Sequence, residues 1–168
     1  MKTILSLAAA ATLFASAAAA DIEVHHAYAI QSSPVAPAGA AFMVIMNTGD
    51  ADDQLIAATS EVSARTELHT HIMEDGVAKM RQVEGGFTIP AQGHHELARG
   101  SDHVMFLGIK EPFEDGDILH VTLTFRDAGN VEVDIPVDLG QLSNMNSMSH
   151  DEMMESEEHE MEHGSDSH

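Results

Sequence analysis

The chain has 168 residues, enough for one domain with a single sizeable core and too few for two. Seven Lys and Arg against 28 Asp and Glu give a formal charge of −21, which excludes nucleic acid as a partner, because such a surface repels phosphate, and attracts small cations instead. No cysteine is present, so disulfides, zinc fingers, thiolate copper sites and Cys nucleophiles are excluded, while 11 Met and 12 His outnumber the seven aromatic residues.

At the amino terminus Lys2 precedes an uncharged apolar run from Ile4 to Phe14, and Ala18, Ala19 and Ala20 offer the small residues a signal peptidase accepts. Residues 1–20 are predicted to be a signal peptide cleaved after Ala20. No later stretch is apolar enough to span a bilayer core about 30 Å thick, so the mature form is expected to be exported and without a membrane span.

From Asp21 to about Gly140, short β-rich runs alternate with Gly, Pro, Asn and Asp at the spacing of a sandwich or barrel. Strands are predicted near 22–30, 40–47, 54–58, 64–73, 77–83, 95–97, 103–109, 118–126 and 131–137. Leu119, Val121, Leu123 and Phe125 alternate with His120, Thr122, Thr124 and Arg126, the mark of one buried and one wetter face. Asp75-Gly76 suits a two-residue hairpin turn, and Asp127-Ala128-Gly129-Asn130 a second turn. An all-β, two-sheet domain over 21–140 follows.

Residues 141–168 differ in kind. They hold no Lys, Arg, aromatic residue, Val or Ile, and too little apolar surface to offset chain entropy, so a disordered tail is predicted. Solvation alone accounts for its acidic residues. It leaves unexplained Met145, Met148, Met153, Met154 and Met161, interleaved with His150, His159, His163 and His168, which together make a loose ligand array for copper.

Within the domain the densest ligand cluster is His69, His71, Met73, Met80, His103 and Met105. Positions i and i+2 of a strand share a face, so His69 and His71 point one way, as do His103 and Met105. A two-residue turn at Asp75-Gly76 would pair Glu74 with Val77 and set His71 opposite Met80, with His69 one diagonal step away. Imidazole and thioether without thiolate suit Cu(I) better than Zn, Mg or Ca. Met73 is expected to pack or to stay peripheral to the site. Met43 and Met46 are expected in the core, His120 on a wet face, and the vicinal pairs His25-His26 and His94-His95 on opposite strand faces, the latter in a loop.

The spacing of these residues resembles that of the periplasmic PCu(A)C copper chaperone family, whose signature is a His, ten residues, a Met, about twenty-one residues and His-x-Met. Here His69 and Met80 enclose ten residues, Met80 and His103 enclose 22, and His103-Val104-Met105 closes the pattern. The words DGVAKMR, IPAQG and LARGSDHVMFLGIK are also similar. The resemblance implies a cupredoxin-like, Greek-key β-sandwich in the periplasm. It implies Cu(I) bound through His69, Met80, His103 and Met105; beside it, the residues themselves make His71 and Met73 secondary, and a site that works by ligand exchange is expected to lie close to solvent. It also implies copper delivery to cytochrome c oxidase subunit II alongside a thiol-bearing Sco-type protein, without enzymatic turnover, and a tail that adds capacity, including for Cu(II). A protein that sequesters copper without delivering it is the alternative on the same scaffold.

Overall fold

A computed structural model describes residues 22–142. The predicted signal peptide and all the tail ligands from Met145 to His168 lie outside the described residues.

Ten strands form two sheets. The first contains β1 (Ile22–Gln31), β2 (Ala38–Asn47), β8 (His103–Ile109), β4 (Ser63–Glu74) and β5 (Val77–Gln82) side by side in that order, and β7 (Gly93–Leu97) also pairs with β2. The second runs β10 (Gly129–Pro136), β9 (Ile118–Phe125), β3 (Asp53–Ser60), β6 (Phe87–Ile89). Neighbouring strands are antiparallel throughout, and the fold is a cupredoxin-like β-sandwich.

Side-chain alternation is what makes two layers from these strands. Ala41, Met43 and Ile45 on β2, Val104 and Phe106 on β8, and Leu68 on β4 turn inward to meet Leu55, Phe87, Ile89, Leu119, Leu123, Phe125 and Ile135 from the other sheet. β6 is the strand that sequence does not anticipate. It is three residues long, too short for alternation to register, and it holds its place by burying Phe87 and Ile89 on either side of an exposed Thr88.

β2 is shared along one edge by two consecutive strands. Ala38 to Ala41 pair with β8, and Met43 to Asn47 pair with β7, so β7 and β8 lie in tandem. His94 is therefore in a strand rather than in the predicted loop. His94 and His95 pair with Met46 and Ile45, so His95 faces inward, where it stacks on Phe87, and His94 faces out. The same parity corrects the expectation for Met46. Met43 is a core residue, but three positions further on Met46 must point the other way, and it is 37% exposed.

Asp53, buried beside the β9–β10 turn, fixes that corner. Its carboxylate accepts from the backbone N–H groups of Gln54, Asp127 and Ala128 at 2.6, 2.9 and 2.9 Å. Burial alone would push this carboxyl up, but the three N–H donors and the nearby Arg126 guanidinium outweigh it and hold it below the ordinary value.

Candidate metal centre

The site is assembled on the outer face of the first sheet, the face turned away from the core. Leu68 on β4 and Val104 and Phe106 on β8 are buried inward, so Glu67, His69 and His71 on β4 and His103 and Met105 on β8 face outward. Register aligns them across strands: His69 pairs with His103, and Glu67 with Met105. On the other side of β4, Glu74 pairs with Val77, which places His71 opposite Met80 and His69 opposite Gln82. The turn that sets this register has Asp75 and Gly76 both at positive φ, 54° and 77°, as a two-residue type I′ loop requires. Met80 is thus the direct partner of His71 and the diagonal neighbour of His69, while His69 is the direct partner of His103. The four residues the resemblance implies, together with His71, share one face.

His103 is the hub of the cluster. Its ring centroid lies 5.9 Å from that of His69, 5.2 Å from His71 and 6.1 Å from Phe42. Phe42 is itself covered by Tyr28, at 5.2 Å, and by the Arg99 guanidinium, 5.9 Å above its ring. These rings bury His103 to 1% exposure although it is on an outward face. The candidate ligands are therefore graded in depth, not all close to solvent as expected: His103 is buried, the His69 side chain is 12% exposed, Met105 is half-buried and Met80 is 53% exposed. Met73 continues the line outward on the β4–β5 hairpin at 72% exposure, so it does not pack.

Two ring nitrogens in this cluster are buried without a partner, His69 Nδ1 and His103 Nε2. Their opposite ring nitrogens explain their state. His103 Nδ1 is 3.0 Å from the Ser101 carbonyl oxygen, and His69 Nε2 is 2.9 Å from Glu67 Oε2. A carbonyl or carboxylate oxygen accepts only, so each of these nitrogens carries the proton and donates. In the neutral ring the orphaned nitrogen is then the lone pair, shut away from water. Leaving such an atom unsatisfied costs about 1–3 kcal/mol, a cost that a bound cation removes. The arrangement is that of a metal-binding imidazole, whose second nitrogen is fixed by a carboxylate or carbonyl. Burial pushes the His103 imidazole below its ordinary value, and the adjacent His71 and His69 push it the same way, against the Ser101 carbonyl and Asp102. The neutral, ligating form is the one favoured.

Among the described residues, no three His, Cys, Asp or Glu side chains gather closely enough to hold a metal by themselves. A site here must draw on the thioethers of Met105 and Met80, and that donor mixture fits a soft cation of low coordination number better than Zn or Ca. Sequence reasoning missed Glu67 and Ser101, which hold the ring tautomers. The Glu67-x-His69 spacing carries a signal for the first, since i and i+2 share a strand face, whereas the Ser101 carbonyl is a backbone atom ahead of β8 that no residue pattern marks. The cover provided by Tyr28, Phe42 and Arg99 was also missed.

Comparison with known proteins adds the following. The profile of the LpqE-like lipoprotein family matches residues 22–137. A protein of Leifsonia xyli subsp. xyli named as a lipoprotein, Lxx21020, is 37% identical over 98 residues, 58% of this chain and 59% of that one, so the match spans less than two thirds of that relative. Among solved structures, the copper-bound PCuAC domain from PmoF2 is similar with a TM-score of 0.60 at 21% identity, covering 73% of this chain and 96% of that domain, a likeness of fold. The Cu(I) form of DR1885 from Deinococcus radiodurans is 31% identical with a TM-score of 0.54, covering 68% of this chain and 78% of that one.

Proposed function

The chain belongs to the LpqE-like family with a PCuAC-like sandwich, and from that premise we propose that it is a copper carrier, binding Cu(I) through His69, Met80, His103 and Met105 and yielding it to a partner. The observation that carries this is the pair of buried, unpartnered ring nitrogens, His69 Nδ1 and His103 Nε2, on directly opposed positions of one sheet face with Met105 beside them. Copper is cargo in this scheme. The protein's part is to hold two imidazoles oriented, through Glu67 and Ser101, and to keep water away with Phe42 and the neighbouring rings, whose burial of His103 favours its neutral form. The gradient of exposure from His103 out to Met80 gives an exit. An acceptor ligand meets the outermost thioether first, and transfer proceeds by exchange of one ligand at a time, with no turnover.

Finer parts of the proposal rest on the sequence. Export to the periplasm after cleavage at Ala20, additional Cu(I) or Cu(II) capacity in residues 141–168, and delivery to cytochrome c oxidase subunit II together with a Sco-type protein extend the same scheme. The lipoprotein name of the relative is in keeping with export. This chain itself has no cysteine to take a thioether-linked lipid.

The test is an anaerobic Cu(I) competition titration of a chain ending at Leu142, with X-ray absorption to count neighbours. One tight site with two sulfur and two nitrogen donors is expected. A site with no sulfur, or no tight site, overturns the assignment. Loss of oxidase activity on gene deletion supports delivery, whereas copper sensitivity with normal oxidase points to sequestration.

A further inference from the structure

A second thioether–imidazole pair lies on the same outer face, at the far end of β2. Met46 pairs directly with His94 on β7, just as Met80 pairs with His71 across the β4–β5 hairpin. Met43 and Ile45 go into the core and Leu97 does likewise, so strand parity turns Met46 and His94 outward together. From the other side, Glu23 on β1 is also a direct partner of Met46. His25, two residues along on the same face, donates from Nε2 to Glu23 Oε2 at 3.0 Å, so in its neutral form the Nδ1 lone pair is left open. Regular β1–β2 pairing is interrupted immediately after His25, where His26 adopts a φ of 53° in the bulge.

Packing does not account for Met46. It is 37% exposed, lies outside the core cluster and is flanked by the polar residues Glu23 and His94, so its sulfur-bearing chain is set among polar neighbours rather than in the apolar interior. The distribution of donors across the molecule is equally uneven. The described methionines are Met43, Met46, Met73, Met80 and Met105, and all but the core residue Met43 lie on this one sheet face. The second sheet's strands contain none.

We propose that Met46 and His94, with the His25–Glu23 pair alongside, form a second site for a soft monovalent cation of the Cu(I) class. Direct cross-strand partners have Cβ atoms about 4.5–5.5 Å apart, which lets a thioether and an imidazole grip one ion from two sides. Two such donors suffice for a soft cation of low coordination number, and the Glu23 and Glu96 carboxylates on the same face compensate its charge. Neither donor has a buried, orphaned nitrogen like those at His69 and His103, so this site is the weaker of the two. Met46 is four residues beyond Phe42 on β2, about 13 Å along the strand, so the two sites share no ligand. An exposed, weaker station beside a buried, tighter one serves capture rather than storage. This inference goes beyond the proposed function and stands on its own residues.

The experiment is a titration of the full chain, labelled with ¹³C at the methionine methyl groups, with Ag(I) as an air-stable soft cation. The Met46 methyl is expected to shift saturably, after those of Met105 and Met80. His94→Ala should weaken the Met46 response at least about tenfold, since losing a ligand costs no less than losing an outer partner, and leave Met105 unchanged. An unmoved Met46 methyl once the tail methionines are saturated overturns the proposal. So does an undiminished Met46 response in His94→Ala. A Met46 shift with Met80 and Met105 unmoved would uphold this site and remove the first.

Discussion

The outer face of β9 and β10 presents His120, Thr122, Thr124, Glu132 and Asp134, whereas the outer face of β4, β5 and β8 presents Glu67, His69, His71, Met80, His103 and Met105. On the first, polar groups satisfy one another in the open: His120 meets Asp134 at 2.7 Å with both side chains over 70% exposed, an arrangement worth little to stability. On the second, two imidazole nitrogens are buried and left unsatisfied. The same pleated backbone thus serves two ends. On the outer face of β9 and β10 the polar atoms pair with neighbours or water, and at the candidate site the pairing is left incomplete.

The comparison breaks most sharply at the deepest ligands. Changing His103 and Met105 together to Ala should lower Cu(I) affinity of the chain ending at Leu142 by at least about 100-fold, since two of four donors go, each no less important than an outer partner. The same competition titration checks it, and unchanged affinity would defeat the assignment. Glu67→Gln is the next largest. A glutamine amide can present a donor to His69 Nε2 and so favour the tautomer that protonates Nδ1, and a loss of about 10–100-fold is expected. ¹⁵N chemical shifts of the His69 ring report the tautomer directly.

On the other sheet the losses should fall on stability and spare copper. Asp53→Asn leaves at least one of the three N–H donors facing an amide NH₂, at a cost of about 1–3 kcal/mol in urea unfolding, with Cu(I) affinity unchanged. Because the Asp53 carboxyl is held below its ordinary value, its contribution is complete above the unfolded value of about 3.9 and disappears as pH falls through the lower folded one. The wild-type chain should therefore lose a portion of stability in that acid window that the Asn variant lacks. The smallest effect is expected for His120→Ala, which should change stability by no more than about 0.5 kcal/mol and copper affinity not at all.

Local signals carried much of this structure. Alternation in Leu119 to Phe125 identified a half-buried strand, and Asp75-Gly76 fixed a hairpin whose register follows from turn length alone. His-x-Met at 103–105 named two residues of one face. What sequence could not supply was the neighbour of each strand. His69 and His103 are 34 positions apart and meet because β4 lies beside β8, a choice made by the whole core. The burial of His103 depends in turn on Phe42, Tyr28 and Arg99, which come from three further segments. Met46 was misplaced for a simpler reason. In an apolar run such as AAFMVIM every residue is hydrophobic, so composition says nothing of which face is inside, and only the pleat separates Met43 from Met46.

The tandem placement of β7 and β8 along β2 has a kinetic corollary. Between them, residues 98–102 leave the β2 ladder and return, and His103 is the first residue after re-entry, tied by its ring to the Ser101 carbonyl, which is held to β4 by one long bond from the His71 N–H at 3.3 Å. Fraying of five residues would loosen His103 at the loss of one long bond to β4, with the strand ladders themselves intact. Off-loading would then be governed by a small, fast breathing motion, and the amide protons of that segment should exchange far sooner than those of the sandwich interior.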